Sequence, residues 1–191
     1  MTKLFLCVLI AVYYLNGMEP SDVCAFTITE PGLYKLGNSI IFGTNNGQII
    51  CPNGKIIAWK RTYQKIIINT SNTTLDLQGF SIACAEDICA KELDAITIRP
   101  RRKNITICNG SIEDFVNGYA VLIEKNSEFD AIFDRSVHVA LKNILFRHVS
   151  KPLGLYAALN VLLENITLPL GVPIVAKNDY SSITFKHVYH V

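Results

Sequence analysis

The chain has 191 residues, half of them hydrophobic, with 18 basic and 16 acidic side chains and a net charge of +2. That length suits one domain. A charge so nearly balanced excludes the strongly basic surface on which nucleic-acid binders rely.

Residues 1–17 read as a secretory signal, with Lys3 as the charged start, an apolar run from Leu4 to Leu15, and the small-residue exit Asn16-Gly17. Twelve apolar residues fall short of the ~20 that a bilayer span needs, and no later stretch is longer. The expectation is an exported protein, secreted or extracellular, with no membrane span once the signal is removed. Losing Lys3 leaves 17 basic and 16 acidic residues, a net charge of +1. One domain then covers residues 18–191. Five cysteines stay behind, Cys24, Cys51, Cys84, Cys89 and Cys108. An odd count leaves at least one thiol free or bridged to another chain.

Residues 24–60 carry short strand-like runs, "FTI", "YKL", "SIIF", "QIIC" and "KIIAW", separated by the turn sequences "GTNNG" and "CPNG". Cys84 and Cys89 close the short polar excursion "CAEDIC" and are the disulfide candidates. A zinc site would need a C-x-x-C or His-x-x-x-His spacing, which is absent, so no metal and no cofactor is expected. Residues 113–137 exceed the needs of one repeat and read as a protruding loop.

From residue 75 onward the chain repeats. Anchored on Leu77, Ile107, Leu141, Leu163 and Phe185, the positions two before, at, three after and five after the anchor are apolar, with Gly110 and His190 as the exceptions. The anchors lie 30, 34, 22 and 22 residues apart. Alternation at period 2 marks strands with one face inward. The step of three inserts one residue between two short strands, at Gly79, Asn109, Asn143, Asn165 and His187. Gly, Asn and His tolerate the left-handed backbone best, so the chain is expected to bend at the same place in each repeat. An antiparallel sandwich would share the alternation but does not call for one bend residue in phase.

The segments "NTTLDLQGFSI", "KNITICNGSI" and "LLENITLPL" resemble coils of the right-handed parallel β-helix, the pectin-lyase-like superfamily. "FTITEPGLYKLGNSI" resembles the opening coil of secreted β-helix proteins of amoeba-associated bacteria and large DNA viruses. The resemblance spans residues 26–191 and implies an all-β fold, a right-handed single-stranded parallel β-helix or solenoid. It does not imply one activity, because the superfold carries lyases, hydrolases, esterases, adhesins and inert scaffolds.

The pectin-hydrolase signatures Asn-Thr-Asp, Asp-Asp, Gly-His-Gly and Arg-Ile-Lys are missing; Asn69-Thr70-Ser71 has Ser where the carboxylate should stand. Without paired carboxylates nothing protonates a leaving group or activates water. In the anchor frame Asp76 is the sole acid of the column just before the anchor, beside Thr106, Ala140, Leu162 and Thr184. The column just after it reads Gln78, Cys108, Lys142, Glu164 and Lys186, an ion ladder at its far end. The remaining catalytic candidates are Glu124, Glu128, Asp130, Asp134, Arg135 and His138, a group that suits general acid–base work or Ca²⁺ but matches no Ca²⁺-loop spacing. Arg99, Arg101, Arg102 and Lys103 are the ligand-binding candidates, since Arg forks onto carboxylates and sulfates. Asn69, Asn72 and Asn104 are the glycosylation candidates among five Asn-x-Ser/Thr triplets.

These observations favour an exported, non-catalytic surface or carbohydrate-binding protein whose partners are a polysaccharide or a cell or particle surface. The alternatives are a polysaccharide lyase or hydrolase working from the outer face, and a structural coat component. The sequence "SITFKHVYHV" ends inside the fifth repeat, so the last coil is expected to be covered by a second copy, as a homo-oligomer, or by another partner.

Overall fold

The computed structural model describes residues 25–85, 88, 92–124, 136–156, 158–176 and 182–191. The signal segment, Cys24, Cys89, Glu128, Asp130, Asp134 and Arg135 lie outside the described residues. In chain order the strands are β1 (Ala25–Ile28), β2 (Gly32–Asn38), β3 (Ile40–Phe42), β4 (Gln48–Ile50), β5 (Ile56–Ala58), β6 (Lys65–Ile68), β7 (Thr73–Asp76) and β8 (Ser81–Cys84). They continue as β9 (Ile96–Ile98), β10 (Lys103–Glu113), β11 (Tyr119–Ile123), β12 (Ser136–Arg147), β13 (Lys151–Leu155), β14 (Ala158–Leu168), β15 (Val175–Ala176) and β16 (Ile183–His190). The fold is all-β, as the alternation implied. Among the described residues no helix is long and apolar enough to cross a membrane.

The strands form two sheets. One runs β1-β6-β9-β11-β13-β15 with every pairing parallel. The other runs β16-β14-β12-β10-β7-β2-β4-β5. It is parallel from β16 to β2 and antiparallel through β4 and β5, so it is mixed. From β9 onward the chain visits the two sheets in strict turn. One apolar core lies between them, with Ile66, Ile96 and Val121 of the parallel sheet joining Leu75, Ile107, Leu141 and Leu163 of the mixed sheet.

Each bend residue expected from the repeat takes a left-handed φ: Gly79 82°, Asn109 61°, Asn143 54°, Asn165 53° and His187 53°. The first repeat, however, stands in another register. Ile107 is opposite Leu75 rather than Leu77, and Ile105 is opposite Thr73, whereas Ile112 is opposite Ile82 as expected. Two extra residues in the turn after Asp76 account for the offset. They also explain why Gly110 breaks the apolar pattern. A Cβ there would strike the Phe80 carbonyl oxygen and the Leu77 side chain, so Leu77 fills the space that an apolar side chain occupies elsewhere.

The offset moves Asp76 from one outward column to the next. It shares a column with Lys35, Cys108, Lys142, Glu164 and Lys186, and Thr74 takes its place beside Leu33, Thr106, Ala140, Leu162 and Thr184. The expected loop over 113–137 is also narrower than its sequence suggested. Tyr119–Ile123, an unbroken "YAVLI", is strand β11 in the parallel sheet. Strands buried on both faces lose the alternation that distinguishes strand from loop.

Candidate functional site

On the outer face of the mixed sheet a groove of about 600 Å³ crosses β7, β10, β12 and β14. Its floor is Thr74, Thr106, Ala140 and Leu162, the outward residues that alternate with core Leu75, Ile107, Leu141 and Leu163. Three of the four floor side chains, Thr74, Thr106 and Ala140, are short, which leaves the trough open.

One wall is a row of left-handed residues, Asn72, Asn104, His138 and Asn160, with φ of 55°, 56°, 58° and 55°. Each residue after Asn72 lies five positions before a bend residue of the first series, so the strand between them turns at both ends. The side chains form a ladder. Asn104 donates from Nδ2 to Asn72 Oδ1 at 2.8 Å, and its own Oδ1 stands 3.3 Å from His138 Nδ1. Asn160 Oδ1 accepts from the Ser182 hydroxyl at 2.8 Å. An Asn has two amide protons and two carbonyl lone pairs, so each rung keeps hydrogen-bonding capacity that the ladder does not consume.

Lys142 lines the other side, with its Nζ 3.1 Å from Glu164 Oε2. This hydrogen bond and the positive charge of Lys142 hold the Glu164 carboxyl below its ordinary range, and Lys186 and His187 add to the effect. A second amide ladder runs beyond, from Asn165 Nδ2 to Asn143 Oδ1 and from Asn143 Nδ2 to Asn109 Oδ1, both 2.8 Å, ending at Asp76 with Asn109 Nδ2 3.1 Å from Oδ1. Burial pushes the Asp76 carboxyl upward, but hydrogen bonds from Gln78 and Asn109 outweigh it and leave the group below its usual value. Cys108, a free thiol, stands between Asp76 and Lys142 in the outward column. Burial and then the Asp76 charge raise its pKa, against the pull of Lys142.

The residues singled out from sequence divide sharply. His138 is in the groove wall. Glu124 is instead paired with Arg99, Nη1 to Oε2 at 2.8 Å, at the end of the parallel sheet. Asp130, Asp134 and Arg135 lie outside the described residues, so the acidic group is represented only by its two ends. The basic run is not one patch. Arg99 follows β9, Arg101 turns the chain with φ 64°, Arg102 donates to Asn69 Oδ1 at 2.6 Å, and Lys103 opens β10 in the other sheet. Among the glycosylation candidates, Asn104 commits its Nδ2, the atom a glycan would occupy, to Asn72, whereas Asn69 and Asn72 are engaged through Oδ1. Cys84 is buried at the end of β8 and is not among the free thiols, which are Cys51 and Cys108 among the described residues. Among the described residues no group of three or more His, Cys, Asp and Glu is placed to hold a metal ion.

The groove itself was not read from the sequence. Its signal is Asn or His recurring five residues before each bend from Asn104 onward, a pattern that the Asn-x-Ser/Thr triplets at Asn72 and Asn104 mask. Chemically the lining offers amides, threonine hydroxyls, one imidazole and one ammonium, and among the described residues no carboxylate. Such a surface can hydrogen-bond hydroxyl groups. No family model matches the chain, and no curated protein or solved structure matches it either.

Proposed function

We propose that the chain is an exported, right-handed single-stranded parallel β-helix of the pectin-lyase-like kind that binds a polysaccharide along the groove without cleaving it. The groove carries the reading. It runs across stacked parallel strands about 4.8 Å apart, close to the repeat of a linear pyranose chain, and presents amide and hydroxyl groups at that spacing. Among the described residues its lining includes no carboxylate pair, which favours binding over hydrolysis. The helical architecture is supported by the alternation between two sheets, the parallel registers and the in-phase left-handed residues. On this reading the antiparallel β4–β5 pair is a cap on the first coil. Removal of residues 1–17 and a Cys84–Cys89 bridge belong to the same proposal.

The test is a glycan array probed with the secreted protein, followed by titration calorimetry on the best ligand. Ala140→Trp places an indole on the groove floor without touching the core, and should abolish binding while the circular dichroism spectrum is unchanged. Undiminished binding by that variant, or release of reducing or unsaturated ends from the bound glycan, overturns the reading.

A further inference from the structure

Both side-chain ladders of the mixed sheet run the same way, each rung donating to the rung before it. The second ladder is continuous. Asn165, Asn143 and Asn109 each donate from Nδ2 to an oxygen on the preceding strand, ending at Asp76. The first ladder, on the groove wall, is interrupted. Asn104 donates to Asn72, and its own Oδ1, which can only accept, receives the N–H of His138 Nδ1. That contact fixes the neutral imidazole as the Nδ1–H tautomer. Nε2, across the ring from Asn104, is then a bare acceptor.

The next rung does not use it. Asn160 stands opposite His138, because Val137 pairs with Leu159 and Val139 with Val161. The Asn160 backbone N–H donates to Ser182 Oγ at 3.1 Å, and that hydroxyl donates to Asn160 Oδ1 at 2.8 Å. This sets the amide orientation and leaves Nδ2 as its unused end. Among the described residues no hydrogen bond joins Asn160 to His138. The groove lining therefore holds an unused acceptor and an unused donor on strands about 4.8 Å apart. An Asn at position 138 would close this gap, as Asn143 does between Asn109 and Asn165, and would suit the φ of 58°. The histidine keeps the ladder open.

The chemistry of the gap selects its occupant. A hydroxyl both donates and accepts, and one oxygen about 2.8 Å from each group spans the strand spacing. A carboxylate or sulfate oxygen only accepts, and would set its lone pairs against that of Nε2. Lys142, the ammonium of the lining, already has its charge met by Glu164 at 3.1 Å. Resting on the glycan-binding reading, we infer that the His138–Asn160 gap is the specificity-determining subsite of the groove. It takes one hydroxyl of a neutral linear polysaccharide, which donates to His138 Nε2 and accepts from Asn160 Nδ2.

The test uses the full chain at about pH 8, where an imidazole is neutral. Cellohexaose, xylohexaose and mannohexaose are the neutral probes, and hexagalacturonate is the anionic one. Calorimetry should show binding of at least one neutral hexamer, with hexagalacturonate about tenfold weaker or silent. His138→Asn should weaken the neutral hexamer about tenfold, the effect of losing its hydrogen bonds in the gap, without lowering the thermal midpoint. Nitrogen-15 shifts of labelled histidine, assigned by the signals that H138N removes, should show Nδ1 protonated and Nε2 bare, with Nε2 moving as the hexamer is added. Undiminished binding by H138N, tighter binding of hexagalacturonate, or an Nε2–H tautomer overturns the inference and leaves the groove a glycan site, which Ala140→Trp tests separately. Binding of none of the neutral hexamers overturns it as well. A wild-type chain that binds no glycan on the array brings down the glycan reading itself.

Discussion

The two ends of the mixed sheet solve the same problem differently. At the β2 end the parallel stack stops against an antiparallel pair, β4 and β5, joined by the tight "CPNG" turn in which Gly54 N donates to Cys51 O at 2.9 Å. Antiparallel strands need only such a turn between them, so an edge can be closed within a dozen residues. Trp59 then seals the core: its ring stacks on Phe42 at 5.2 Å, and Phe26 and Tyr63 stand at 6.2 and 5.1 Å. It is 2% exposed. At the β16 end no hairpin and no aromatic plug follow among the described residues, and Phe185 is left half in solvent. A parallel stack has no intrinsic way to stop, and at the β2 end the strands that stop it are antiparallel.

The largest expected effect tests the closed end. Trp59→Ala removes the plug and should cost about 3–5 kcal/mol in urea unfolding. A loss below about 1 kcal/mol would mean that the hairpin alone closes the end. Next comes a pair within one column. Leu141→Ala, in mid-stack, should cost about 2–5 kcal/mol, whereas Phe185→Ala should cost less than about 1 kcal/mol because half its surface is already in water. Equal losses would show that the open end is covered in solution.

The same contrast explains which features could be read from sequence. The bend column was legible because Asn109, Asn143 and Asn165 recur at a position where a β-branched residue would be strained. The register of the first repeat was not. A slip of one residue turns every side chain to the wrong face, but the insertion beside Gln78 and Gly79 shifts the strand by two, and alternation is blind to a shift of two. That error moved Asp76 into the wrong column and hid the fact that Thr74, Thr106, Ala140 and Leu162 form one floor. The groove floor depends on correct register across segments 32, 34 and 22 residues apart, so the in-phase Asn and His residues mark its wall but not its floor. The basic run failed for a different reason: Arg99 to Lys103 turn the corner between two sheets, and residues adjacent in sequence end on different faces.

The amide ladder offers a third comparison. Asn143 accepts from Asn165 and donates to Asn109, both at 2.8 Å, and has φ 54°. Asn143→Ala loses both bonds and places a Cβ-bearing side chain with no compensating contact in the left-handed region, for about 2–3 kcal/mol in thermal or urea unfolding. Asn143→Gly relieves the backbone part and should recover about 1 kcal/mol. His187 occupies the equivalent place at the open end with φ 53°. His187→Gly should be neutral within about 0.5 kcal/mol. A His187→Gly loss as large as that of Asn143→Ala would mean that the ladder continues past the edge.

The smallest effect concerns how the two ends hold their acids. Asp76, near the closed end, is fixed by hydrogen bonds from the Gln78 backbone, the Gln78 side chain and Asn109. Glu164, near the open end, is held by Lys142. Both carboxyls titrate below their ordinary values, so each contributes stability that is present above the unfolded value, about 3.9 for Asp and 4.3 for Glu, and is lost as pH falls through the lower folded value. The sign is the same and hydrogen bonds do the lowering in both, but the donor to Glu164 is a charged ammonium, whereas the donors to Asp76 are neutral amides. Hydrogen bonds act at contact range, whereas an exposed ion pair is screened by salt. Asp76→Asn should therefore cost about 1 kcal/mol or less at neutral pH, persist in about 1 M salt, and flatten the loss of stability below about pH 4. Glu164→Gln should show a smaller loss that vanishes in the same salt. Urea melts of the two variants at neutral and acid pH, each with and without salt, separate the mechanisms; if salt erases both losses alike, Asp76 is held by charge and the two ends do not differ in this respect.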